Sequence, residues 1–338
     1  MKKEQEHPIR LTSAEIANLW TSYMNDTMAV CGITYFIAKV QDAQIRTVLE
    51  YALQLSKKQV ERVKLIFTEE QYPVPQGFTE QDVDVNAPRL FSDNFFLIYI
   101  ANMGRYGLAA CSLALSSSSR ADIRSFFSEY LASATELFNK AIEVLLEKGI
   151  YLRPPYIPAP KQIEYVHDQH FLGNFLNLGK ERPLLALEIA NLTYNINRNM
   201  LGKALIMGFS QVAKLKEIRQ YFERGRDISQ KHVEIFSARL NKEHLPTPMS
   251  WDSEVTDSTT PPFSDKLMMF HIAALVASSV GQYGISMSTS PRADLATMYT
   301  RLSVEIGNYA IDGAKIFIEN GWMEKPPQSA DHEALAKV

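Results

Sequence analysis

A chain of 338 residues with 46% hydrophobic and 22% charged side chains has the composition of a globular protein and excludes a disordered one. The formal net charge of -3 offers no positive field to recruit nucleic acid or acidic lipid. Two cysteines, Cys31 and Cys111, are too few for a disulfide scaffold or a thiolate zinc site.

The charged start, Met1 to Arg10, lacks the apolar centre of a signal peptide, and no run of 18 uncharged apolar residues follows. The expectation is a cytoplasmic protein with no membrane span. Thr12-Ser13 with Glu15 has the form of an N-cap and acidic first turn, predicting a helix to about Val40. A second helix is predicted from about Ala43 to Glu70, with Ile45, Val48, Leu49, Ala52, Leu55, Val63 and Ile66 on one stripe. Pro73 and Pro75 forbid further helix and begin a crossover rich in Pro, Gly and acidic residues. Ser92-Asp93 opens a third helix to about Ser116, and Ser119 to Asp122 starts a fourth that ends at Gly149. Cys31 and Cys111 both fall in apolar helical stretches, where a free thiol acts as a small core residue.

A proline-rich strap, Pro154 to Pro160, follows, and then a mixed segment carrying Phe171, Phe175 and Leu176. Those apolar side chains predict that the linker, 153–182, packs on the helices around it. Four more helices are expected at 185–213, 216–243, 265–288 and 292–319. They repeat the first four. Glu15-Ile16-Ala17-Asn18-Leu19 recurs as Glu188-Ile189-Ala190-Asn191-Leu192, 173 residues on (188 − 15). Past the crossover, Phe91-Ser92-Asp93 meets Phe263-Ser264-Asp265 at 172 (263 − 91), and Arg120-Ala121-Asp122 meets Arg292-Ala293-Asp294. Matches in one register across most of each half identify an internal duplication. Short, long, short connections predict an all-α protein of two tandem antiparallel four-helix bundles, 9–152 and 183–327.

Several stretches resemble a bacterial family known as domain of unknown function 3231. They are Leu11-Thr12-Ser13-Ala14-Glu15-Ile16, Pro183-Leu184-Leu185-Ala186-Leu187-Glu188-Ile189, Ala87-Pro88-Arg89-Leu90-Phe91-Ser92-Asp93, Arg153-Pro154-Pro155-Tyr156-Ile157-Pro158 and Trp251-Asp252-Ser253-Glu254-Val255-Thr256-Asp257-Ser258. The resemblance implies a tandem ferritin-like fold and a source among endospore-forming bacteria. It implies no activity and no functional residues.

A di-iron carboxylate site needs Glu from two helices and Glu-x-x-His from each of two others. The second and fourth helices of each half lack that motif, and its one instance, Glu164-Tyr165-Val166-His167, lies in the linker. No catalytic residue and no cofactor is predicted, with a metal ion kept as an alternative occupant. His167 and His170 are weak metal candidates if they share a helical face. In the second half, His232 and Glu305 fall on inward stripes near mid-height, with Asn199 at a comparable level. A buried ionisable residue is costly unless paired, so these three are either a satisfied core network or a site for a metal or small polar ligand. Their counterparts in the first half are Gln59, Ser133 and Asp26. His271 reads as a core histidine near a helix end. The crossover acids, Glu80, Asp82 and Asp84, with Asp252, Glu254 and Asp257, lack the spacing and glycine of a calcium loop and read as solvated. Taken together, the sequence favours a non-catalytic binding or assembly role, through a protein partner or self-association and in sporulation or stress. A metal- or ligand-binding bundle is the alternative.

Overall fold

The computed structural model describes residues 9–173 and 182–336. The first half holds α1 (Ser13–Lys39), α2 (Ala43–Glu69), α3 (Asp93–Ser116) and α4 (Ala121–Glu147). The second holds α5 (Ala186–Val212), α6 (Lys216–Lys242), α7 (Asp265–Ser288) and α8 (Ala293–Glu319), before a short α9 (His332–Leu335). Among the described residues the chain is helical, with two isolated β-bridges and no named strand. Each half joins its helices by short, long and short connections, as the punctuation predicts. Gly149 and Gly321 both end a fourth helix at φ +68, the left-handed cap that glycine adopts without a Cβ clash.

The repeated Glu-Ile-Ala-Asn-Leu segment has a structural cause. Glu15 is buried at the start of α1, where it closes a capping box with Thr12. Its other oxygen accepts the backbone N–H groups of Ser119 (2.8 Å) and Arg120 (2.8 Å), the entry to α4. Burial pushes that carboxyl up, but the N–H groups of Arg120, Thr12 and Ser119 outweigh it and hold the carboxyl down at about 2. Glu188 does the same for α5 and α8, accepting from Leu185 and Arg292 and from both ends of the Arg182 guanidinium. Asp93 and Asp265 form a second repeated tie. Each sits in the first turn of a third helix and accepts the backbone N–H groups of the turn joining helices one and two.

The halves face each other about an approximate twofold. α1 lies against α7 and α3 against α5, and the crossovers trade contacts in matched pairs. Val83 bridges Phe263 while Phe91 bridges Val255. Ser92, the N-cap of α3, donates its hydroxyl to Glu254, and Ser264, the N-cap of α7, donates to Asp82 at 2.7 Å. Two of the acids expected to be solvated are therefore the latch between the halves. Phe263 packs edge-on against Tyr35 at 5.2 Å. Its mate Phe91 covers Gly208, where an added Cβ would come within 2.6 Å of the ring. On the axis itself, Tyr99 and His271 share a 2.9 Å hydrogen bond.

One continuous apolar core runs through both halves, from Met24 to Tyr309. A second, smaller cluster of Leu19, Tyr23, Val63, Phe67, Ala114, Ile123, Phe126 and Phe127 lies toward the far end of the first half. Among the described residues α7 alone has the length and apolarity of a membrane span, with a mean hydropathy of 1.3. Its serines and His271 break the continuous apolar run sought in the sequence. Its inner face (Leu267, Met268, Ile272, Val276 and Tyr283) is buried in the core it shares with α5 and α8.

The linker departs from expectation. Tyr156, Ile163 and Tyr165 are 86%, 88% and 80% exposed, so the strap runs through solvent instead of packing on the helices. The halves already close against each other through their crossovers, so the strap is not needed to hold them together. Phe171 is half-buried under the Arg182 guanidinium, 4.3 Å from its ring. Phe175 and Leu176 lie outside the described residues.

Candidate functional site

The second half assembles the three residues singled out from its sequence. His232 on α6 is fully buried, with its Nε2 3.1 Å from a Glu305 oxygen on α8. Its Nδ1 lies 2.9 Å from the hydroxyl of Tyr283 on α7, and Asn199 on α5 donates to that same hydroxyl at 2.8 Å. Burial lowers the His232 pKa and outweighs the pull of Glu305, so the ring is neutral. One arrangement satisfies the chain. Asn199 donates to Tyr283, Tyr283 to His232 Nδ1, and His232 Nε2–H to Glu305. Glu305 sits nearer the rim than its stripe suggested, with its side chain 29% exposed. Its second oxygen is ion-paired to Lys231 at 2.7 Å. Burial raises the Glu305 carboxyl, but the bonds from Lys231 and His232 prevail and keep it ionised. The four residues form a closed network joining four helices, with His232 and Glu305 supplying two metal-ligating groups.

The other metal candidates do not come together as imagined. Residues 163–168 form no helix, and His170 lies in a 3₁₀ turn, Gln169–Leu172. His167 and His170 therefore share no helical face. Among the described residues, no group of three or more His, Cys, Asp or Glu side chains is placed to hold a metal ion.

The first half departs from the second at two aligned core positions. The position of Tyr283 is occupied there by Cys111, and that of Leu302 by Tyr130. In the second half, α5 and α7 are fastened by Asn191–Thr289, Asn195–Ser286 and Asn199–Tyr283 hydrogen bonds, each 2.8 or 2.9 Å. The corresponding pairs in the first half are Asn18–Ser117, Ser22–Ala114 and Asp26–Cys111. Of these only Asn18–Ser117 forms, at 3.0 Å. With Ala114 and Cys111 offering no side chain long enough to cross, α1 and α3 part and leave a cavity of about 140 Å³.

That cavity lies between the two core clusters. Small side chains make one wall, with Gly104, Gly107, Cys111 and Ala114 at helical spacing on α3. Tyr99, Tyr106 and Phe127 supply aromatic faces, and half-buried Ser22, Asn25 and Tyr106 line its outer part. At the deep end is Asp26, 3% exposed, both of whose oxygens lie 2.8 Å from the Tyr130 hydroxyl. Among the described residues no cation forms an ion pair with it. Burial pushes the Asp26 carboxyl up to about 7, and the approach of Tyr130 and Ser56 only partly offsets that. Ser56, 1% exposed and also lining the cavity, lies beside the carboxyl, yet its Oγ completes no hydrogen bond of normal geometry. One turn on, the buried Gln59 Oε1 is likewise without a partner. Gln59 stands where His232 stands in the second half, so the absence of a tyrosine at 111 is also the absence of its partner. His271 closes the end of the cavity at the twofold, and its burial lowers its pKa to about 4. It is a core histidine, as its position suggested, but one that also faces this space.

A duplicated helical chain with one half closed by a hydrogen-bonded polar network and the other open around a buried carboxyl defines a helical-repeat protein with an internal cavity in its first half. The sequence pattern of the family described as protein of unknown function (DUF3231) matches residues 1–163 and 174–335, and the chain belongs to that family. No curated protein matches it. Among solved structures, one described as a "putative spore coat protein" from Bacillus halodurans C-125 is similar over 45% of this chain and 98% of its own. Its identity is 20% and the TM-score 0.41.

Proposed function

We propose that this protein is a non-catalytic, cytoplasmic binding protein that holds a small organic molecule in the cleft of its first half. The observation that carries the reading is the cavity of about 140 Å³ with a buried, cation-free carboxyl and an unpartnered Ser56 hydroxyl at its inner end. Buried polar atoms are nearly always hydrogen-bonded, so orphans on a cavity wall mark a missing partner. The volume is close to that of an engineered cavity in another protein, roughly 150 Å³, that takes up benzene.

A binding role is favoured over catalysis by the state of the neighbouring groups. Burial drives the Cys111 thiol up to about 12 and keeps Tyr130 protonated, while His271 is neutral. None of these is activated as a nucleophile: the Tyr130 hydroxyl, although 2.8 Å from the Asp26 carboxyl, stays protonated, as does the Cys111 thiol. A setting in sporulation or stress is carried forward from the family resemblance.

Cys111→Tyr, which installs the side chain the second half uses at this position, is the direct test. Native mass spectrometry of untagged protein should find a bound small molecule on the wild type and none on the variant. The same adduct on both, or on neither, would contradict the reading.

A further inference from the structure

Within that reading, we infer that the cleft takes a small organic cation, a protonated primary amine on a short apolar or aromatic body, with Asp26 as its counter-ion. This rests on the cleft being a binding site and adds the chemical class of what it binds.

Three features of the wall select for that class. First, Asp26 is a carboxyl 3% exposed whose one polar contact of normal geometry is the Tyr130 hydroxyl. A single hydroxyl leaves most of its acceptor sites empty, and an ammonium group brings three donors. A buried charge is tolerated when paired, so a cationic guest relieves the cost of ionising Asp26 while a neutral or anionic guest does not. Second, the buried Ser56 Oγ lies beside the Asp26 carboxyl on the same wall and completes no hydrogen bond of normal geometry, which leaves its oxygen as an acceptor for a second ammonium N–H. Third, the faces around the space are aromatic or small (Tyr99, Tyr106, Phe127, Gly104, Gly107), and ring faces attract cations while excluding water. The titratable groups facing Asp26 are Tyr130 from α4 with Cys111 and Tyr106 from α3, all neutral in their protonated forms. Nothing among them supplies the positive charge that a guest would bring.

In the second half Asn199 stands in place of Asp26 and Tyr283 fills much of the space, and the carboxylate at that level, Glu305, is already ion-paired to Lys231. The buried carboxyl and the larger cavity, about 140 Å³, occur together in one half, while the other has an amide beside a space of about 50 Å³. A carboxyl retained only as a core element has no need of the cavity.

Isothermal titration of the full chain at neutral pH with benzylamine, benzyl alcohol and benzoate separates the outcomes. Benzylamine is expected to bind about tenfold or more tightly than benzyl alcohol, the size of one charge-assisted hydrogen bond, with benzoate weakest. Asp26→Asn should bring benzylamine down to the level of benzyl alcohol and leave the alcohol unchanged. Equal binding of alcohol and amine, or an amine preference surviving in Asp26→Asn, would overturn the amine assignment and leave the cleft reading standing. No binding of any probe by the folded wild type would overturn both.

Discussion

Asp26→Asn is expected to raise the stability of the protein at pH 8 by about 2–4 kcal/mol and to flatten its pH dependence between about 4 and 7. The carboxyl goes from an ordinary 3.8 to about 7 on folding. In that interval the unfolded chain has already released the proton that the native state still holds. The native state binds more protons, so stability falls as pH rises. At roughly 1.4 kcal/mol per pH unit the loss is at most about 4 kcal/mol once Asp26 ionises in place. Asparagine keeps an acceptor for Tyr130 and never ionises. Tyr130 and Cys111, which share the site, stay protonated across this range and leave the slope to Asp26. Urea unfolding at pH 5 and pH 8 measures the effect. Parallel profiles for wild type and variant would mean that Asp26 is solvated or paired.

The opposite signature belongs to Glu15. Glu15→Ala should cost about 3 kcal/mol near neutral pH, because it strips one carboxylate from the entries of both α1 and α4. The backbone N–H groups of Thr12, Ser119 and Arg120 lose their shared acceptor, and helix-entry donors buried without partners are expensive. Its folded pKa, about 2 against an ordinary 4.5, is depressed. The stabilisation is therefore present above about 4.5 and lost as pH falls toward 2. The variant should show little of that acid dependence, and Glu15→Gln, which keeps one acceptor oxygen, should fall between. Chemical denaturation from pH 3 to pH 7 resolves all three. A Glu15→Ala protein as stable as wild type would refute the tie between α1 and α4.

The helices were legible because their punctuation is local. Thr12, Ser92 and Ser264 are N-caps in fact as in sequence, and Pro73 and Pro75 do end helical structure. The duplication was legible because Glu15 and Glu188 do the same work, so the sequence repeats around them. His232, Glu305 and Asn199 come to one level because 3.6-residue spacing aligns their stripes, whereas Tyr283, which links His232 to Asn199, was not legible in those stripes.

What sequence reading missed was long-range or a matter of subtraction. Asp82 and Glu254 look like solvent-facing loop acids until the halves are set face to face, since their serine partners lie 182 and 162 residues away. The linker's aromatic residues suggested packing, but Tyr156 and Tyr165 stand in solvent. The cleft escaped notice because a cavity has no motif. Its signal was the exchange of Tyr283 for Cys111 and of Leu302 for Tyr130 between aligned positions, a large core side chain lost on one helix and a polar one gained on the next.

A crystal of the wild-type protein soaked in benzylamine and solved at high resolution tests the central claim most directly. Density for one amine is expected between α1 and α3, its nitrogen at Asp26 and Ser56 and its ring among Tyr99, Tyr106 and Phe127. A cleft filled only by ordered water in the soaked crystal, or benzylamine lodged beside His232 and Glu305 instead, would contradict it.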